Sequence, residues 1–172
     1  MLAVEYMILY PEAAAEHQPW LRTQPEDYAP LTRDRLEAGS AIAAIHYIDA
    51  QRRRRELIEQ FARVHERVDV LVLPSAPVAA MPLSATELII NGEPTDIFDG
   101  LIRITGPFNV TGVPAVSIPC GETVAGLPVG LQLAGRHFED HVVLAAAREL
   151  ERVRAQAVRL PPLLVEQPLE LA

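Results

Sequence analysis

Between Ser40 and Val68 apolar positions recur at helical spacing: Ala43, Tyr47, Ala50, Ile58, Phe61 and Val68 fall on one side of a helix. That side predicts a core-facing stripe on one long helix, with Ser40 in the N-cap role that its hydroxyl suits. Ahead of it, residues 12–18 read as a short Ala-rich helix. "PEDYAP" reads as a turn, and "LTRDRLEAG" as a second helix for which Gly39 is the stop.

The pattern changes at "DVLVLPSAP", residues 69–77, a continuous apolar run cut short by proline. It predicts a short strand buried on both faces, as in a parallel or mixed sheet. Residues 78–95 read as a long connection whose clearest turn is "NGEP", followed by a brief helix in "TDIFDGLIRI" capped by Thr95 or Asp96. Residues 109–112 then form a turn into a strand at 115–118, bracketed by Pro114 and Pro119. "VGLQLAG" is a further strand able to pair with it. "EDHVVLAAARELERV" closes the series as a helix packed through Val143, Ala147 and Leu150, and the Pro-rich stretch from Leu160 reads as a surface arm. This order implies an α/β layer structure with a mixed sheet flanked by helices. The strands are too few for a complete one.

Bulk properties narrow the function. A chain of 172 residues, 49% hydrophobic, can bury a core, and its formal charge of −8 disfavours nucleic acid as a direct partner. One cysteine excludes an internal disulfide and suits a reducing cytoplasm. The opening "MLAVEYMILY" contains Glu5 and lacks a basic leader, so it does not read as a signal peptide. No apolar run approaches the ~20 residues needed to span a bilayer, so no membrane is expected.

Candidate chemistry is sparse. All 15 basic residues are arginine, so mechanisms that need a lysine, whether Ser-Lys or Schiff-base, have no place within this chain. Ser40, Ser75, Ser84 and Ser117 lie outside any Gly-x-Ser-x-Gly elbow. Cys120, between a proline and a glycine near a strand end, reads either as a nucleophile approached by one of the histidines or as an inert packed thiol. His137 and His141 have the spacing of two ligands on one helix face, but "HFEDH" lacks the His-Glu-x-x-His pattern, and no metal is expected. Within "RRRR", Arg54 falls inside the apolar stripe between Ala50 and Ile58, while Arg52 and Arg55 fall outside it. A guanidinium there needs an anion, which leaves an internal salt bridge or a substrate anchor.

"FNVTGVPAVSIPCG" followed by "GLPVGLQLAGR" strongly resembles the C-terminal region of the amidase signature family, serine amidohydrolases that include the glutamine-hydrolysing component of tRNA-dependent amidotransferases. "EAAAEH", "PEDYAPLTRDRLEAG", "DVLVLPSAP" and "LAAARELE" extend the resemblance in order over nearly the whole chain. It implies a portion of a large mixed sheet flanked by helices, with residues 1–160 as the C-terminal part of an amidase domain and 161–172 as a tail. It also implies hydrolysis of a carboxylic amide without a cofactor. The family's Ser, cis-Ser, Lys triad and its Gly/Ser-rich signature lie upstream of the matched region, so no catalytic residue is expected in this chain, and the chain alone is expected to be inactive. Arg54, Asn109, Thr111 and Gly112 resemble family positions near the substrate cleft. In the amidotransferase component the arginine at the Arg54 position holds the glutamine carboxylate, and an aspartate seven residues before the Asn109 position holds its amino group. Here that second position is Ile102, which argues for a general amidase over an amidotransferase component. The implied partners are a small-molecule amide and the missing N-terminal portion. The reading from a different class is a non-catalytic module that pairs its exposed apolar faces with another chain or in a homodimer.

Overall fold

The computed structural model describes residues 1–154. The arm from Leu160, and the boundary between 160 and 161, lie outside the described residues. Helix α1 (Leu2–Thr23) is far longer than the helix expected at 12–18, running through Pro11 and Pro19 and taking in the apolar opening segment. An internal proline removes a backbone hydrogen bond and costs about 3 kcal/mol, which tertiary packing has to offset. Here α1 packs along α2 (Pro30–Ser40) and α3 (Ala44–His65). Ala14 is buried, and Tyr47 Oη donates to Glu12 Oε1 at 2.8 Å.

Gly39 is not the stop of α2. It is buried within it, and a methyl group placed there would lie 2.2 Å from the Tyr10 carbonyl oxygen, so the glycine is where α1 and α2 touch. Nor is Ser40 an N-cap: it is the last residue of α2 and its hydroxyl donates back to the Leu36 carbonyl. A short break follows before α3, whose N-cap is Ala43. Ala50 is buried, and Tyr47, Ile58 and Phe61 are partly buried along the expected stripe, whereas Ala43 and Val68 at its two ends are exposed. His65, 2% exposed, holds the buried position at the C-terminal end instead.

The sheet is three-stranded in the order β1-β5-β4, all antiparallel. β1 (Leu71–Pro74) pairs with β5 (Pro128–Ala134), and β5 pairs with β4 (Ala115–Glu122), the neighbour relation expected from sequence. β1 alternates between partly buried and exposed positions, so it is not covered on both faces as expected: among the described residues it lies at an edge. Pro119 does not end β4. The strand shifts register between Pro119 and Gly121, leaving Cys120 in the bulge and Gly121 at φ 129°.

Residues 78–95 hold more order than a connection: β2 (Leu88–Ile90) and β3 (Glu93–Thr95) form a hairpin over Asn91 and Gly92, both at positive φ, the two-residue turn such a pair favours. Asp96 caps α4 (Ile97–Ile102), its carboxylate accepting from the Phe98 and Asp99 amides. Residues 109–112 are likewise not a simple turn. They are the end of helix α5 (Gly106–Thr111), with Gly112 in the left-handed conformation and its amide bonded to the Phe108 carbonyl at 2.8 Å.

Two cores sandwich the sheet. On one face, α6 (Asp140–Arg154) lays Val143, Ala147 and Leu150 against Val116, Ile118, Leu131 and Leu133, as its stripe predicted. On the other, Phe108 and Val113 pack with Ala134, Leu71, Leu73 and Phe61 of α3. Phe61 meets Phe108 edge-on at 5.7 Å, which fixes α5 against α3.

Candidate substrate-binding site

The α3–α5 contact places the residue the sequence singled out. Arg54 is partly buried while Arg52, Arg53 and Arg55 are exposed. Among the described residues its guanidinium has no carboxylate partner, and Nε donates to the Val110 carbonyl oxygen at 2.7 Å. That carbonyl belongs to the last turn of α5, where acceptors lack partners within the helix, so the arginine closes the helix end. The guanidinium also reaches Gly112, where a Cβ would stand 3.9 Å from Arg54 Nη2.

The other expected positions divide. Gly112 is exposed and adjoins Arg54. Thr111 is fully buried, and its hydroxyl donates to the Pro107 carbonyl at 2.7 Å, so it spends its hydrogen bond inside α5. Asn109 belongs to the helix that packs on α1, and it hydrogen-bonds Glu5. Glu5 itself is 7% exposed, with Oε2 lacking a hydrogen-bond partner beside the Cα of Gly106. Burial pushes its carboxyl above the ordinary carboxylate range, and the Asn109 bond pulls it partly back.

Sequence reasoning missed His137 as a neighbour of this site. It sits on the turn before α6, and its Nε2 would lie 3.5 Å from a Cβ at Gly112, on the same spot that Arg54 Nη2 approaches. No spacing rule joins residues 54, 112 and 137, and the single signal was the isolated arginine in an apolar stripe. His141 is inside α6, so the two histidines do not share a helix. Among the described residues no group of three or more His, Cys, Asp or Glu side chains could hold a metal ion. Cys120 is partly buried in the β4 bulge. Ser75 and Ser117 bond each other beside the Cα of Gly130, a contact that ties the strands together and involves no base.

Residues 7–144 match the family described as Amidase. The chain belongs to that family. It is 33% identical over 151 residues to the putative amidase AmiD of Mycobacterium bovis, covering 88% of this chain and 31% of the relative. To a component of the glutamyl-tRNA(Gln) amidotransferase of Listeria welshimeri it is 33% identical over 154 residues, covering 87% and 31%. A solved amidase crystal structure superposes with a TM-score of 0.82 at 34% identity, covering 87% of this chain and 34% of that one. This amidase-family chain thus spans about a third of the length of the curated relatives it matches. No helix among its described residues is long and apolar enough to cross a membrane.

Proposed function

We propose that this chain is the C-terminal part of a cytoplasmic amidase that adds water across a carboxylic amide to give an acid and ammonia or an amine. Residues 1–160 supply core and one wall of the cleft, and 161–172 are a tail. The nucleophilic serine and the lysine come from an N-terminal portion. The observation that carries the reading is the family match over residues 7–144, combined with coverage of a third of each relative and a sequence without lysine. Arg54 and Gly112 are the wall positions that meet ligand, while Asn109 and Thr111 hold α5 in place. Ile102, where the amidotransferase component carries an aspartate, favours a general amidase.

The exposed apolar side chains Ile45, Ile48, Val64 and Val72 fit a surface that the N-terminal portion covers. Coproduction with an N-terminal amidase portion bearing the triad, followed by ammonia release from simple amides, tests the reading. Turnover by the assembled pair and none by the isolated chain is expected. Turnover by the isolated chain overturns it, and a stable homodimer in sedimentation that excludes the N-terminal portion overturns it in favour of a non-catalytic oligomerisation module.

A further inference from the structure

We propose that Glu5 is a positioning residue whose carboxyl works as a proton-dependent latch on the cleft wall: as the neutral acid it seats α5 against α1, and once ionised it lets α5 lift away. The latch is built wholly from this chain's residues, and its bearing on substrate rests on the reading above.

Glu5 lies in the first turns of α1, is 7% exposed, and belongs to the helix that packs on α5. A Cβ at Gly106 would stand 2.1 Å from Glu5 Oε2 and 3.1 Å from the carboxyl carbon. The carboxyl thus fills the space a side chain would take at the first residue of α5, and a glycine is what admits it there. One helical turn on, Asn109 bonds the same carboxyl, so α5 meets Glu5 at two positions on one face. Oε2 itself is buried and has no hydrogen-bond partner among the described residues. In a neutral acid that is one missing hydrogen bond; in a carboxylate it is a buried charge supported by a single side chain, which is far more costly. Burial accordingly pushes the carboxyl above the ordinary range, against the pull of Asn109.

Titratable and charged groups stand on several of the surrounding helices, and α5 has none. On α1 they are the amino group of Met1, Tyr6, whose hydroxyl donates to Asp99 of α4, and Tyr10, stacked on Tyr6. On α3 there is Arg54, bonded to the Val110 carbonyl, and on α2 the Arg33–Glu37 pair, Asp34, and Arg35, which lies over the Phe98 ring. Burial and the Asn109 bond are the two influences on the Glu5 carboxyl, so none of these charges relieves it.

Ionisation therefore has one outlet. Water has to reach Oε2, the Gly106 backbone stands against it, and α5 has to move off α1 to admit the water. That helix is six residues long and has no side-chain cap at Thr105, so little else holds its first turn. Its far end carries the Val110 carbonyl that Arg54 holds and the exposed Gly112, and a shift of the first turn reaches both.

Amide exchange of the full chain, read residue by residue by nuclear magnetic resonance from about pH 4 to about pH 8 and corrected for intrinsic rates, tests the latch. Because the seated form holds its proton more tightly, its advantage is complete below the ordinary carboxylate value and is lost as pH rises through the raised one. Protection at Asn109 to Gly112 is expected to fall across that window by up to about tenfold per pH unit, and to stay below that of α6 throughout. Glu5→Gln, neutral at every pH, is expected to hold the parent's acid-side protection over the whole range. Asn109→Ala removes the one bond that favours the ionised form and is expected to carry the fall to higher pH. Protection of α5 that is flat in the parent, that falls equally in Glu5→Gln, or that matches α6 in a single global opening overturns the proposal, as does an Asn109→Ala fall that ends at the parent's pH. Neither substrate nor a second chain enters the measurement, so its failure is separate from failure of the amidase reading. An assembled pair without turnover removes the hydrolase and leaves a pH-dependent α5 standing, whereas turnover beside a pH-independent α5 does the reverse.

Discussion

Gly39→Ala places a methyl group where α1 and α2 cross. An alanine normally stabilises a helix interior relative to glycine by about 1 kcal/mol. At this position the Cβ would stand 2.2 Å from the Tyr10 carbonyl oxygen and 2.6 Å from its carbon, with the Ala14 methyl at 3.1 Å. Relief requires the two helices to separate by on the order of 1 Å, because the closest obstructing atoms are backbone and have no rotamer to change. Separation loosens the packing of buried Ala14, and because the obstruction is backbone the overpacking cost lies in the upper part of the usual range, about 2–3 kcal/mol, so the net effect is a loss of roughly 1–2 kcal/mol. For a chain of this size that is a melting temperature about 2–8 °C lower. Gly100→Ala is the control, since its Cβ would meet side-chain tips alone, Leu88 Cδ1 first, and a side-chain tip can rotate away. Thermal unfolding followed by circular dichroism reads both variants. A Gly39→Ala protein melting at or above the parent temperature refutes the claim that the helix crossing depends on a missing side chain.

Glu5→Gln addresses the buried carboxyl. Its folded-state pKa is raised, so the folded protein binds a proton more tightly than the unfolded chain, and stability falls as pH rises from the ordinary carboxylate value through the raised one. The variant is expected to be more stable than the parent at neutral pH, with a flatter stability profile above the ordinary carboxylate range in urea titrations; a parent profile that rises across that window contradicts the assignment. Leu133→Ala, at 1% exposure between β5 and α6, is expected to cost about 2–5 kcal/mol in the same titrations. Asp96→Ala removes the acceptor for the Phe98 and Asp99 amides and is expected to cost about 1 kcal/mol, measured as faster amide exchange at those two positions as well as in the midpoint.

Where local pattern and tertiary environment agree, the elements were legible from sequence. α6 carries its stripe at unbroken helical spacing, and the pairing of β4 with β5 follows from two apolar strands joined by a turn-bearing connection. The failures share one cause. Pro11, Pro19, Gly39 and Pro119 are breakers by local rule, yet α1 runs through its prolines because α2 and α3 support it, and Gly39 serves a crossing that no window of sequence contains. At Pro119 the bulge at Cys120 absorbs the irregularity and lets β4 continue. In the candidate site, Arg54 was legible because an arginine inside an apolar stripe must answer to something. That it answers to the Val110 carbonyl, and that His137 Nε2 and Arg54 Nη2 both lie beside Gly112, depends on how α3, α5 and the turn before α6 come together.

The three-stranded sheet has an open side at each end, β1 on one and β4 on the other, among the described residues. When strands of one sheet reside on one polypeptide, closing such an edge is a first-order event that dilution cannot slow. When they are divided between two polypeptides it becomes second order, and an unpaired edge is a template for association with the wrong strand. The rate at which β1 or β4 gains a neighbour therefore depends on concentration wherever the pairing strand belongs to another polypeptide, and is independent of it wherever that strand is on the same one.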